Sequence, residues 1–131
     1  MDQRPALSLL LVDDSAPFLL HTRHFLEQTA GEDITVVATA ANSAAALLAA
    51  QRLSPDAVLV DPVMPGATGV ELIGRLRELL PRSAILALSL SDDGAFAERT
   101  AASGADAFVA KSRIKEELLP ALRRAVERRS G

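Results

Sequence analysis

Asp13-Asp14, Asp61, Ser89 and Lys111 each stand directly after an apolar run: LSLLLV, AVLV, AILAL and AFVA in turn. Three carboxylates, a hydroxyl and an amine at the ends of neighbouring strands would bind a divalent cation and a phosphoryl group. Crowded carboxylates repel one another unless a cation sits among them. Hard oxygen ligands with room for water suit Mg²⁺, which keeps several waters and shares a phosphate oxygen. A metal held by Asp13 and Asp14 would leave an Asp61 oxygen free to attack phosphorus, as carboxylate nucleophiles do when they form aspartyl phosphates. The transferring group spreads charge over three oxygens. Mg²⁺, Lys111, and the Ser89 hydroxyl with nearby backbone N–H groups could serve one each.

Taken singly, these residues have plainer roles. An Asp pair usually caps a helix, and Asp61 before Pro62 suits a turn. The joint pattern needs a fold that gathers them. Five apolar runs, at Ala6–Val12, Ile34–Thr39, Ala57–Val60, Ala84–Leu88 and Ala107–Ala110, are continuous rather than alternating, as in strands covered on both faces. Segments of helical pattern separate them, so the chain reads as a doubly wound parallel α/β sheet. In the order 2-1-3-4-5 strands one and three flank the switch point, and ligands bind beyond the carboxyl ends there.

Helix signals agree with that frame. Ser15 and Pro17 open the first helix, and Asn42 or Ser43 caps the second. Thr68-Gly69-Val70-Glu71 fits a capping box, followed by a buried stripe of Val70, Ile73, Leu76 and Leu80. Asp92 and Asp93 suit the start of helix four, and Gly104 suits its left-handed end. Ser112 suits the cap of helix five, whose Ile114, Leu118, Ala121 and Ala125 face inward.

The 131 residues are 49% apolar and 24% charged, enough for one core. Without Trp or Tyr, that core is built from aliphatic residues and four Phe. The absence of cysteine removes disulfides and thiol chemistry, and agrees with a cytoplasmic location. A net charge of −3 argues against direct nucleic-acid binding by this chain. No apolar run approaches the roughly 20 residues of a membrane span. The expectation is a single domain over residues 1–131 with no output domain.

The motifs LLLVDDS at 9–15, LVDPVMPGATG at 59–69, LALS at 86–89 and GADAFVAKS at 104–112 resemble the receiver domain of two-component response regulators, over essentially the whole chain. The resemblance implies a flavodoxin-like (βα)5 fold and phosphorelay signalling. Asp61 would be the phospho-acceptor, and Asp13, Asp14, Asp61 and the Val63 backbone carbonyl would hold Mg²⁺. Ser89 would be the switch hydroxyl, Phe108 the aromatic switch, and Lys111 the partner of the phosphoryl oxygens. A histidine kinase or phosphotransfer protein would donate. The readout would be a homodimer or an output protein on the face of helix four, strand five and helix five. Such a protein catalyses only its own aspartyl phosphorylation and dephosphorylation. Ser112 after Lys111 resembles receivers of the NarL/FixJ type.

Two positions depart from the family. Leu90 stands where Ala or Gly usually follows the switch hydroxyl, so an alternative is a receiver-like binding module poorly phosphorylated because Leu90 restricts access. Pro62 directly follows the acceptor and lacks an N–H. A phosphatase or mutase with Asp61 as nucleophile would need a second acid at position 63, which is Val. His21 and His24 share a helix face without an evident third ligand. Arg123, Arg124, Arg128 and Arg129 read as a solvated face that complements the helix dipole, and Phe96 reads as half-buried.

Overall fold

The continuous apolar runs do form a parallel sheet. A computed structural model of the chain describes residues 6–64, 69–90 and 94–130. Its elements alternate strictly: β1 (Leu7–Val12), α1 (Ala16–Ala30), β2 (Ile34–Ala40), α2 (Ser43–Leu53), β3 (Ala57–Val60), α3 (Gly69–Leu79), β4 (Ala84–Ser89), α4 (Gly94–Ser103), β5 (Ala107–Ala110) and α5 (Ile114–Ser130). The strand order is β2-β1-β3-β4-β5, the flavodoxin-like arrangement expected.

Successive strand residues point to opposite faces, which splits the core in two. Leu9, Leu11, Leu59, Leu86, Leu88 and Val109 pack with Leu26 of α1 and Leu118, Leu122 and Ala125 of α5. Leu10, Val12, Val58, Val60, Ile85 and Ala87 pack on the other side with Ala46 and Ala50 of α2 and Leu72, Ile73 and Leu76 of α3. Two central strands, β3 and β4, are buried at every position, which is why their sequences show no alternation. The edge strand β2 alternates instead and carries a bulge: Leu9 pairs with Val36 but Leu10 with Ala38, leaving Val37 extra and exposed. Among the described residues no helix is long and apolar enough to cross a membrane.

The caps follow the expected chemistry in part. The Ser15 side chain accepts from the Phe18 N–H, and the Asn42 side chain from the Ala45 N–H. Gly104 ends α4 at φ 123°, where a side chain would also crowd Arg77. Ser112 is not a cap. It lies inside a short 3₁₀ turn, Lys111–Arg113, that leads into α5 and has no side-chain cap at its start. The tight turn continues directly from β5, so no extended residue is left to cap α5. The proposed roles of Thr68, Asp92 and Asp93 lie outside the described residues. The stripe holds at Ile73 and Leu76 of α3 and at Leu80 just past its end, and adds Leu72, while Val70 is only half-buried.

Candidate functional site

Strand register sets the depth of each polar residue. Val12 is level with Val60, and Val60 with Ala87, so Asp13 and Asp61 emerge side by side at the switch point. Their backbones extend the sheet ladder: the Asp61 N–H donates to Val12 O at 2.9 Å, and the Asp13 N–H to Ala40 O at 3.0 Å. Ser89 is level with Ala110, one residue short of Lys111. Ser89 therefore ends β4 a step further out than the two acids, beside the lysine's strand.

The side chains converge from there. The Lys111 ammonium donates to Asp13 Oδ2 at 2.6 Å and to Asp61 Oδ2 at 2.7 Å. Asp13 Oδ1 accepts from the Ser15 N–H at 2.9 Å, and Asp61 Oδ1 from the Val63 N–H at 2.7 Å. Asp13, Asp61 and Ser89 are only 1%, 6% and 2% exposed. Burial pushes the Asp61 carboxyl above its ordinary range, and the proximity of Asp13 adds to this; the Lys111 and Val63 hydrogen bonds offset it only partly. Burial pulls the Lys111 ammonium down, but its bonds to the two carboxylates outweigh that and leave it raised, so it stays cationic.

Asp14 differs from its neighbour. It is exposed. Among the described residues, no group of three carboxylate, histidine or cysteine side chains is gathered to hold a metal ion. What the strands bring together is an acid pair on one ammonium, with a third carboxylate adjacent in sequence. Two hard oxygen donors within reach of a single cation, with one lysine to balance them, suit Mg²⁺ that keeps much of its water.

The other expected residues are spread across the molecule. Phe108 is half-buried on β5, edge-on to Phe96 of α4 with centroids 6.3 Å apart and planes at 87°. Val63 is exposed beside Asp61 and Pro62 is buried. Gly69 approaches Pro62 so closely that a Cβ there would overlap its carbonyl, which ties the start of α3 to the turn after Asp61. Leu90 is 83% exposed. A plug over Asp61 would have to be folded inward, so restricted access finds no support here. His21 and His24 are exposed on α1. Arg129 corrects the expectation of a wholly solvated basic helix: its Nη2 lies 2.7 Å from Asp106 Oδ1.

Three participants went unrecognised in the sequence. Phe18 places its ring 4.0 Å from the Lys111 ammonium. Arg77 and Asp106 build a half-buried ion pair at the opposite end of the sheet. An apolar residue in a first helical turn, an arginine on a helix and an acid in a loop carry no local signal of such contacts.

Residues 9–123 match the family model of the response regulator receiver domain. The chain is 33% identical over 124 residues to the nitrate/nitrite response regulator protein NarL of Escherichia coli K12, covering 95% of this chain and 56% of that protein. It therefore spans about half the length of the curated relatives it matches. A two-component response regulator of the LuxR family from Aurantimonas sp. SI85-9A1 superposes with a TM-score of 0.86 at 28% identity, covering 94% of this chain and 86% of that one. The chemotaxis protein CheY4 of Vibrio cholerae gives 0.79 at 30% identity, covering 92% and 99%.

Proposed function

This chain belongs to the response regulator receiver domain family of two-component systems, and we propose that it is a phosphorylation-controlled switch with Asp61 as acceptor. The observation that carries this reading is the Asp13–Lys111–Asp61 cluster at the switch point of the sheet. An Asp61 oxygen forms the new O–P bond as the N–P bond of a phosphohistidine donor breaks. The leaving imidazole nitrogen keeps the bonding pair, and the donor is a histidine kinase or phosphotransfer protein. Asp13 and Asp14, with Asp61 and the Val63 carbonyl, would hold Mg²⁺. When bound, the cation neutralises charge on the acids and on the phosphoryl oxygens.

The chain's own residues supply the rest. Lys111 turns an N–H toward the phosphoryl group, and the Val63 N–H orients the acceptor carboxylate. Ser89, one step beyond the acids, is drawn toward the new charge, and Phe108 follows on the adjacent strand. The change is a shift between two pre-existing arrangements. The readout is a second copy or an output protein on the face formed by α4, β5 and α5, in the cytoplasm. The chain acts only on its own acceptor. Incubation with Mg²⁺ and acetyl phosphate, followed by intact mass, tests the reading. One added phosphoryl unit, absent in Asp61→Asn, is expected; no addition, or addition that survives Asp61→Asn, refutes it.

A further inference from the structure

Lys111 sits in a three-sided cage. Asp13 and Asp61 take two of its N–H groups, and the Phe18 ring covers another side at 4.0 Å. The lysine side chain is only 9% exposed, so the ring's attraction for the ammonium is little diluted by water. Beyond this cage a groove of about 480 Å³ opens between α1 and the start of α5, lined by Phe18, Phe25, Leu90, Lys111 and Ile114 among others. Phe18 and Lys111 both border that groove, with the ring over the ammonium.

The sequence fixes that ring through the acid pair itself. Asp13 Oδ1 takes the Ser15 N–H, and Ser15 Oγ takes the Phe18 N–H at 3.2 Å. Two linked hydrogen bonds thus tie the first turn of α1 to the carboxylate that also holds Lys111. Pro17, inside the same turn, fixes its φ.

The geometry points to Phe18 as a positioning residue for Lys111 in the phosphoryl transfer. This rests on the reading of Asp61 as acceptor. As an Asp61 oxygen bonds to phosphorus, the carboxylate loses charge and weakens as an anchor for the ammonium. Lys111 must then turn an N–H to the phosphoryl group without leaving the site. A π face suits that moment. It attracts the cation but accepts no strong directional hydrogen bond, so it does not compete with the phosphoryl oxygens.

Phe18 also packs against the core beneath it, so volume alone does not separate positioning from packing. Fluorination does, because it withdraws charge from the ring face at almost constant shape. With Mg²⁺ and acetyl phosphate, labelling of the full chain should slow stepwise as mono-, tri- and pentafluorophenylalanine replace Phe18. The last should reach about a three- to tenfold loss, as should Phe18→Leu. Phe18→Tyr should stay within about twofold of the parent. The same fluorinated residues at position 25, in the same groove, should leave the rate unchanged. A flat series at position 18, in a chain that labels normally, overturns the inference and leaves the acceptor reading standing. An unlabelled parent chain refutes both. Independently of labelling, the Lys111 ammonium protons should carry an upfield ring-current shift that Phe18→Leu removes. Its absence from the parent chain overturns the placement.

Discussion

Asp61 accepts hydrogen bonds from Lys111 and Val63, yet burial still holds its carboxyl above the ordinary range. Two carboxylates on one lysine leave negative charge uncompensated, and that residual charge favours a bound cation. Mg²⁺ should therefore raise the melting temperature, by an amount equivalent to about 2.7 kcal/mol at a hundredfold excess over Kd. Asp13→Asn and Asp14→Asn should each remove most of the rise; an unchanged rise in either, followed by thermal scanning, would take that residue out of the metal site. At this scale the sequence was informative because each polar residue interrupts an apolar run, and a strand end admits few side chains. It was silent on exposure. Asp13 is buried and Asp14 exposed although the two are adjacent, and of the two only Asp13 is shown bound to Lys111. Phe18 was equally hidden, since its contact is to a lysine 93 positions away in the chain.

At the scale of elements, the site is held at one end of the sheet and the fold is clamped at the other. Asp106 Oδ2 accepts from Arg77 Nη2 and the Ile85 N–H, both at 2.8 Å, and its Oδ1 accepts from Arg129 Nε at 2.8 Å. Arg77 also donates to the Gly104, Leu80 and Ser83 carbonyls. One pair of side chains thereby joins the end of α3, the start of β4, the α4–β5 turn and the end of α5. Burial lowers the Arg77 pKa, and Asp106 opposes that shift. Removing Asp106 takes the counter-charge from a largely buried guanidinium and the acceptor from the Ile85 N–H, so Asp106→Ala should cost about 3 kcal/mol in chemical denaturation. Arg129 is more exposed, and Arg129→Ala should cost about 1 kcal/mol. Equal costs would mean that the clamp does not depend on burial. Pro120 interrupts α5 on its exposed side, removing a helix hydrogen bond. Pro120→Ala should raise stability by about 1 kcal/mol or more; a loss would show that the helix needs the proline. The strands were legible because both faces are covered. The 3₁₀ turn at Lys111–Arg113 was not, because a serine before a helix reads as a cap whether or not the chain tightens there.

At the scale of the molecule, the chain is a receiver domain that spans about half the length of its curated relatives. Its core is divided by the sheet, with α1 and α5 on one side and α2 and α3 on the other. Signal would run from the switch point along β4 and β5. Ser89→Ala should still be labelled on Asp61, but Phe108 should keep its unlabelled resonance positions; a normal Phe108 response in that variant would remove Ser89 from the switch. The central claim is narrower, that Asp61 itself carries the phosphoryl group. Borohydride reduces an aspartyl phosphate to homoserine, which marks the acceptor covalently. After treatment with Mg²⁺ and acetyl phosphate, reduction and peptide mass mapping should place homoserine at position 61 alone. Homoserine at another aspartate, or none in a chain that has gained phosphoryl mass, would contradict the account.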